Sequence, residues 1–325
     1  MASESDSVVI PTTVRPITSV PEALETVQGD LRKFFGKQEW RYHKFPFGLW
    51  FRGHSRECMT LQPRAFRPKI KLTDQDHGWW DETNVYELLR LRVPLQRRIY
   101  QSAFDWLCLM QHYSLPTRLL DWSESILPAL YFAAREDTDE DGALIVLNAK
   151  RLNRQSKSHP TISTPSDGHV IIRAEMATTR SASTLCRKTT VQTARAEEGI
   201  KDKKGWLQAF CKPIAVFPNR LNDRMTYQYS VFTLHGGKEY VPHMKQEYKN
   251  DLMPPSINLI DLDNGCPADQ RLLQRYTIPG GKAKERILEE LFVLGIHEGT
   301  LFPEVERQAS YLRKLWWYTE AEQSE

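Results

Sequence analysis

Residues 111–134 read QHYSLPTRLLDWSESILPALYFAA and join a dense group of polar side chains to an apolar segment. The apolar residues of the second half recur at helical spacing, so we predict a helix that begins after Asp121. Either Ser123 or Ser125 would lie at its N-cap, where free backbone amides favour an anion. The stretch therefore predicts a helix start beside polar side chains that suit an anionic ligand.

The chain before this stretch divides into an arm and a helix. Residues 1–18 are rich in Ser, Thr, Val and Pro and are expected to form a flexible N-terminal arm. Ser19 and Glu22 have the spacing of a capping box, and apolar residues follow them at helical spacing. Residues 19–47 are therefore predicted to be a helical extension.

The remainder, residues 48–320, is predicted to be one α+β domain, because short strands alternate irregularly with helices. Strands are expected at 48–53, 143–147, 169–173, 214–217 and 225–234. Helices are expected over 81–113, split at Pro94, in a late segment that ends at Gly295, and in a last helix that Pro303 opens as a first-turn residue.

Charge is unevenly distributed along the chain. The 325 residues carry a formal net charge of +3, yet the segment 150–204 holds 12 Lys or Arg against 5 Asp or Glu. We expect residues 150–210 to form a basic, mobile insertion that recruits a phosphate-rich acceptor such as RNA or DNA. A solvated surface loop without a partner is the alternative.

Several function classes find no support. No apolar run is long enough for a transmembrane helix, and no secretory signal is visible, so the sequence predicts a cytoplasmic protein without a membrane partner. Five scattered cysteines indicate reduced thiols. The chain lacks a phosphate-loop motif, a Rossmann fingerprint and a zinc signature, and we expect no metal.

A second polar group, Phe51-Arg52-Gly53-His54-Ser55, ends a predicted buried strand. An arginine next to a permissive glycine could leave the sheet edge and bind a phosphate or carboxylate with two parallel hydrogen bonds. A purely structural interpretation is also open for the polar residues of 111–134. In that case Asp121 would pair with Arg118, Trp122 would pack in the core, and His112 would be a satisfied histidine.

The sequence FRGHS at 51–55 and the block at 111–134 resemble the two signature blocks of the FRG-domain family. Later segments are similar to that family as well: GALIVLNAKRLN, KPIAVFPNRLNDRMTYQYSVFTLHG and LEELFVLGIHEGTLFPEVE. The resemblance runs from about Trp50 to Leu315, without residues 156–206. A family strand that usually reads Gln-x-Gly-x-Phe departs here, since Gln228 is followed by Tyr229 and Ser230.

The order of these parts also resembles the ADP-ribosyltransferase fold, a split β-sheet with flanking helices. This resemblance implies NAD as substrate and transfer of ADP-ribose to a macromolecular acceptor, as in a toxin or phage-defence effector. The residues that it implies for catalysis are Arg52, Asp121, Ser123, Gln228 and Glu304. Those implied for binding NAD are Arg52, Gly53, Ser55, His112, Thr117, Arg118, Trp122 and Tyr131.

In this interpretation Arg52 would hold the pyrophosphate, and Ser123 would steady Arg52 or the ribose. Tyr131 or Trp122 would stack on nicotinamide, and His112 would contact the adenosine ribose. The carboxylate stays open: Gln228 lies where a transferase would place one, and the alternatives are Asp121, Glu304 and Glu239. A non-catalytic module that binds a nucleotide or nucleic acid, and a purely structural domain, are the competing hypotheses.

Overall fold

The structure is a computed structural model and describes residues 16–30, 48–67, 81–157, 159–179, 184–185, 192, 210–237, 256–267 and 270–321. A six-stranded antiparallel sheet with flanking helices confirms the predicted mixed architecture. The strands are Leu49–His54 (β1), Leu119–Ser123 (β2), Gly142–Asn148 (β3), Ile214–Val216 (β4), Ser230–Leu234 (β5) and Leu273–Ile278 (β6). They lie in the order β4-β5-β2-β1-β3-β6.

The helices surround this sheet. They span 20–30 (α1), Glu82–Arg92 (α2), Ala103–His112 (α3), Ile126–Ala134 (α4), Ala149–Lys157 (α5), Gly168–Glu175 (α6), Asp223–Tyr227 (α7), Leu259–Asn264 (α8), Lys282–Val293 (α9), Glu298–Leu301 (α10) and Val305–Ala321 (α11). Short 3₁₀ turns occupy Arg64–Phe66, Pro94–Arg98 and Met176–Thr178. Within the described part of the chain, none of the helices has the length and apolar character needed to cross a bilayer.

The sheet consists of two halves joined at one point. β1 pairs with β3 along its whole length, and β2 pairs with β5 along its whole length. Between β1 and β2, however, the paired residues are Phe51 and Ser123 alone. The two strands therefore diverge beyond this pair, toward His54 on β1 and Leu119 on β2, and we call the gap between them the opening.

Three apolar clusters hold the layers together. On one face, α1, α4 and α9 cover the half formed by β1, β3 and β6, whereas α2, α3 and α6 cover the half formed by β2, β4 and β5. On the other face, α5 and α8 pack across both halves around Trp50 and Trp122. The first two helical groups meet above β2, so the middle of that strand lies at the seam between them.

Several sequence predictions hold. Pro94 separates α2 from α3, as its missing amide requires. The late helix ends beside Gly295, which has φ 75°, a left-handed conformation that favours glycine. At the start of α1 the hydroxyl of Ser19 accepts a hydrogen bond from the Glu22 amide, whereas the Glu22 carboxylate turns to Thr18.

Other predictions are wrong. The segment 169–173 belongs to helix α6, because Asp167 caps its start by accepting from the His169 amide. The segment 225–234 is a strand only from Ser230 onward. Asn222 caps the short helix α7, and Tyr229 then reverses the chain with φ 52°. Strands β2 and β6 were missed, and the last helix begins at Val305, two residues after Pro303.

The two segments expected to be mobile are partly packed. Ile17, inside the predicted arm, is fully buried, and its amide donates to the carbonyl of Thr277 on β6. In the predicted basic insertion, α5 and α6 bury apolar side chains such as Leu152 and Ile172 against the body. The residues 1–15, 31–47, 186–191 and 193–209 lie outside the described part of the chain.

Candidate functional site

Arg52 projects into the opening between the two halves of the sheet. Its Nη1 donates to the main-chain oxygen of Asp121 at 2.5 Å, a carbonyl that the β1–β2 ladder leaves unused because the strands have diverged. Its Nε donates to Nε2 of His54 at 2.9 Å, which makes that nitrogen an acceptor. The divergence of β1 and β2 thus creates the place where this guanidinium lies.

The surroundings of Arg52 disfavour its charge. Burial lowers the pKa of Arg52 to about 10; the Asp121 carboxylate opposes this effect and the Arg67 guanidinium adds to it. Burial, Arg52 and Arg275 lower the pKa of His54 well below its usual value, so His54 is neutral. Among the described residues, the guanidiniums of Arg52, Arg67 and Arg275 all act on the neutral imidazole, and the Asp121 carboxylate opposes the lowered pKa of Arg52. This excess of positive groups favours an anion at this position.

Asp121 lies at the seam between the helical groups and is open to solvent. Its side chain is 54% exposed, although both of its neighbours on β2 are buried. Its carboxylate lies 3.9 Å from Nη1 of Arg52. An exposed carboxylate in the middle of a central strand shows that the sheet is uncovered here, beside Arg52.

A glutamine that the sequence interpretation did not single out holds this carboxylate. Nε2 of Gln111, in the last turn of α3, donates to Oδ2 of Asp121 at 2.6 Å. The buried hydroxyl of Thr117 in turn donates to Oε1 of Gln111 at 2.5 Å. The chain can turn back over this short distance because Ser114 adopts φ 58° between α3 and β2. Thr117, predicted to bind NAD, is therefore buried beneath the opening and contacts Gln111 instead of facing the opening itself.

A second polar group lies where α3 approaches the start of α11. Oε1 of Glu304 is 3.6 Å from Nε2 of His112 and 3.7 Å from Nη1 of Arg224. Both oxygens of this carboxylate are buried and accept no hydrogen bond within the described part of the chain. The Arg224 guanidinium also lies over the ring of Phe302, 4.7 Å from its centroid. The carboxylate therefore faces His112 and Arg224 rather than capping α11.

The two groups are electrostatically connected. Burial lowers the pKa of Arg224, while the carboxylates of Glu304 and Asp121 oppose that shift. Burial and Arg224 lower the pKa of His112, and Glu304 opposes them. Asp121 thus influences both Arg52 and Arg224, and the structure brings the predicted residues Arg52, Asp121, His112 and Glu304 into one charged region.

Gln228 and Ser123 lie at the edge of this region and contact each other. The Ser123 hydroxyl donates to the Gln228 carbonyl at 2.8 Å and accepts from the Ser125 amide at 3.0 Å. The Gln228 side chain donates to the carbonyl of Leu301 at 3.0 Å. Gln228 precedes β5 instead of lying on it, and Ser123 binds Gln228 rather than Arg52. The alternative carboxylate Glu239 lies outside the described residues.

Four other residues predicted to bind NAD lie away from the opening. Arg118 is fully buried and pairs with Glu82 at 2.6 Å, so its predicted pairing with Asp121 is wrong. Trp122 is buried, and its indole N–H donates to Thr233 at 3.1 Å. The alternation of side chains along β2 explains the position of Trp122, because the neighbours of Asp121 on the strand point to the opposite side. The ring of Trp122 is therefore not free to stack on nicotinamide.

The other two residues stabilise the body. Tyr131 is buried in the cluster that α4 forms with the sheet. The Ser55 hydroxyl donates to Asp137 at 2.6 Å, and the Ser55 carbonyl accepts from the buried ammonium of Lys284 at 2.7 Å. Among the described residues, no group of three or more His, Cys, Asp or Glu is arranged to hold a metal ion.

Gly53, predicted to contact NAD, instead lets β1 approach helix α4. A Cβ at this position would overlap the carbonyl oxygen of Ala129 and lie 2.6 Å from the Ala133 amide nitrogen. Both are main-chain atoms, so neither can move aside cheaply. The glycine is required for packing between strand and helix.

We therefore expect Gly53→Ala to destabilise the protein by about 3 kcal/mol, at the upper end for overpacking. Urea unfolding followed by circular dichroism measures this loss. Gly29→Ala on α1 is the matched control, because nothing lies within 4 Å of the added methyl group. Alanine should raise the stability of that helix slightly. Unchanged stability of Gly53→Ala would show that β1 and α4 can separate without cost.

Comparison with known protein families shows a match between residues 48–142 and the model of the FRG domain. The matched range contains Arg52, Gln111 and Asp121, so it includes the whole opening, whereas Glu304 lies outside it. No curated protein and no solved structure matches the chain.

Proposed function

Because the chain carries an FRG domain over residues 48–142, we propose that it binds NAD at the opening and transfers ADP-ribose to a macromolecular acceptor. The observation that carries the proposal is the uncovered middle of β2, where Asp121 is exposed beside the guanidinium of the half-buried Arg52. The divergence of β1 from β2 supports it, since a split sheet is what the resemblance to ADP-ribosyltransferases implies.

The residues of the opening suit the two parts of such a substrate. Arg52 and Arg67 would bind the pyrophosphate, because a guanidinium presents parallel donors to phosphate oxygens. In the transfer, the bond between the ribose C1′ and the nicotinamide nitrogen breaks, and nicotinamide leaves with the bonding electrons. An oxygen or nitrogen of the acceptor then forms the new bond to C1′ and gives up its proton.

Carboxylates would act where positive charge develops on the ribose. Asp121 is the first choice, since it is exposed and lies next to Arg52. Glu304 is the second, because it faces His112 across 3.6 Å, a pair to which the acceptor could give its proton. Gln228 would act only indirectly, since its amide is bound to the Leu301 carbonyl.

The acceptor belongs to the same proposal. The excess of Lys and Arg over residues 150–204, 12 against 5 Asp or Glu, supports an acidic acceptor, for which we propose RNA or DNA. A transferase that modifies such a molecule in the cytoplasm would serve as a toxin or a phage-defence effector.

One observation favours a second function, a module that binds a nucleotide without reacting with it. At the entrance to β5, Gln228 supplies an amide where a transferase would place a carboxylate, and that amide is already engaged by Leu301. In this case Arg52 would still bind the ligand, but NAD would remain intact.

Nicotinamide release from NAD separates the two functions. We expect the purified chain to release nicotinamide when RNA, DNA or protein acceptors are added, and to increase the acceptor mass by one ADP-ribosyl group. Asp121→Asn should reduce the rate at least about tenfold, since the amide cannot stabilise positive charge. Asp139→Asn, at an exposed position outside the opening, is the control. Binding of ADP-ribose without any release across all acceptors would favour the module.

A further inference from the structure

A directed chain of hydrogen bonds fixes the carboxylate of Asp121 from behind. The Leu119 amide donates to the Thr117 hydroxyl at 3.2 Å, so that hydroxyl has its own proton free to donate. It gives this proton to Oε1 of Gln111, and the amide group of Gln111 then points its N–H at Oδ2 of Asp121. The main-chain amide of Leu119 on β2 therefore fixes which atom donates and which accepts in each hydrogen bond of this series.

This arrangement leaves one acceptor and one donor unoccupied at the same place. Within the described ranges, no donor reaches Oδ1 of Asp121, and no acceptor takes a hydrogen bond from Nη2 of Arg52. Arg52 is bound to Asp121 through the hydrogen bond from its Nη1 to the main-chain oxygen of Asp121. The guanidinium and the Asp121 carboxylate do not hydrogen-bond to each other, since Nη1 and Oδ2 are 3.9 Å apart. Each charge therefore remains available to a ligand.

A site for phosphate alone would not carry this carboxylate. Asp121 repels an anion that Arg52 and Arg67 attract, so its presence lowers the affinity for inorganic phosphate or pyrophosphate. A ligand that carries a hydroxyl next to its phosphate should bind more tightly, because the hydroxyl would donate a charge-assisted hydrogen bond to the ionised carboxylate of Asp121. Sugar phosphates combine these two groups.

We propose that the opening recognises a ribosyl phosphate, with a ribose hydroxyl donating to Oδ1 of Asp121 and the phosphate accepting from Arg52 and Arg67. Gln111 and Thr117 are positioning residues that hold Oδ2 and turn Oδ1 toward the ribose. This proposal rests on the same site as the proposed function and specifies that the opening binds the ribose and phosphate groups of the ligand. It requires recognition of the ribose but no transfer reaction.

Calorimetry with two ligands tests this assignment. ADP-ribose carries the hydroxyls and the phosphates, whereas inorganic pyrophosphate carries only the phosphates. We expect Gln111→Met and Thr117→Val to lose about tenfold or more in affinity for ADP-ribose, as a lost hydrogen bond to a charged group predicts. Their affinity for pyrophosphate should stay the same. Thr117→Ser keeps the hydroxyl and should bind ADP-ribose like the unmodified chain.

The variants differ in their risk to folding. Thr117 is buried, so Thr117→Val leaves the Leu119 amide without its acceptor, whereas Gln111 is only half-buried and Gln111→Met retains its length. Gln155→Met, at a half-buried position on α5, is the control for the substitution itself. Thermal unfolding of each variant shows that binding is compared between folded molecules.

Three results would overturn the inference: no binding of ADP-ribose to the unmodified chain, full affinity in Gln111→Met, or equal losses for both ligands. The outcome is independent of the transfer reaction. Selective loss of ADP-ribose binding in a chain that releases no nicotinamide would support ribose recognition and remove the transferase. Nicotinamide release by the unmodified chain, with no selective loss of ADP-ribose binding in Gln111→Met, would support the transferase and remove ribose recognition by Asp121.

Discussion

Arg52→Ala is expected to lower the affinity for ADP-ribose about a hundredfold, which corresponds to about 2.7 kcal/mol. Among the described residues, the guanidinium forms an ion pair with one carboxylate, that of Asp121 at 3.9 Å, and burial lowers the pKa of Arg52 to about 10. A phosphate would supply the missing negative charge, and charge-assisted hydrogen bonds of this kind each contribute about 1.5–3 kcal/mol. Calorimetric titration of the folded variant measures the loss.

The same surroundings predict that stability changes little. Removing Arg52 releases the Asp121 carbonyl and Nε2 of His54, but it also removes the cost of burying a poorly compensated charge. The melting temperature should therefore remain close to that of the unmodified chain. A large drop in melting temperature with undiminished binding per folded molecule would make Arg52 a structural residue.

Two further variants sharpen the interpretation. Arg52→Lys should fail to restore binding, because an ammonium presents a point charge instead of a planar fork of donors. Arg98→Ala removes an exposed guanidinium on the 3₁₀ turn after α2 and should leave binding unchanged. If Arg98→Ala weakened binding as much as Arg52→Ala, general charge attraction would explain both effects.

The sequence was informative where one strand or helix carries its own signal. The glycine-bounded segment at 48–53 predicts β1, and the structure places Arg52 on that strand, where it donates to the Asp121 carbonyl. That Arg52 binds an anion stays a prediction. The break at Pro94 follows from the chemistry of proline alone. Asp121 was singled out because of its residue type within a polar block, and the structure places its carboxylate 3.9 Å from Arg52.

The sequence was misleading where neighbours in the chain diverge in space. Treating 111–125 as a continuous approach to a helix hid strand β2, in which successive side chains point to opposite sides. Trp122 was therefore assigned to the ligand although it packs in the core. Gln111 was missed because its role depends on a turn at Ser114 that returns α3 to β2.

Long-range pairing was equally invisible in the sequence. Arg118 is the clearest case, because its partner Glu82 lies 36 positions earlier, at the start of α2. Glu82 accepts from the main-chain amide, Nε and Nη2 of Arg118. The remaining donor, Nη1, reaches the main-chain oxygens of Arg173 and Gly237. This buried pair connects α2, the residue before β2, α6 and the segment after β5.

Glu82→Ala is accordingly expected to cause the largest loss of stability, about 3–5 kcal/mol, because it leaves the fully buried guanidinium of Arg118 without a counter-charge. That is a large part of the 5–15 kcal/mol typical of a folded domain. Urea unfolding measures the change, and Glu87→Ala, on an exposed position of the same helix, is the control.

Removing both Glu82 and Arg118 should restore much of the free energy of unfolding that is lost when Glu82 alone is removed. In the double variant Glu82→Leu with Arg118→Met, apolar side chains replace the ion pair, and such replacements of buried pairs are often neutral or stabilising. We expect the double variant to unfold at a higher urea concentration than Glu82→Ala and to bind ADP-ribose with unchanged affinity, because Arg118 lies away from the opening. A folded double variant that no longer binds ADP-ribose would instead assign Arg118 to the ligand, as the sequence first suggested.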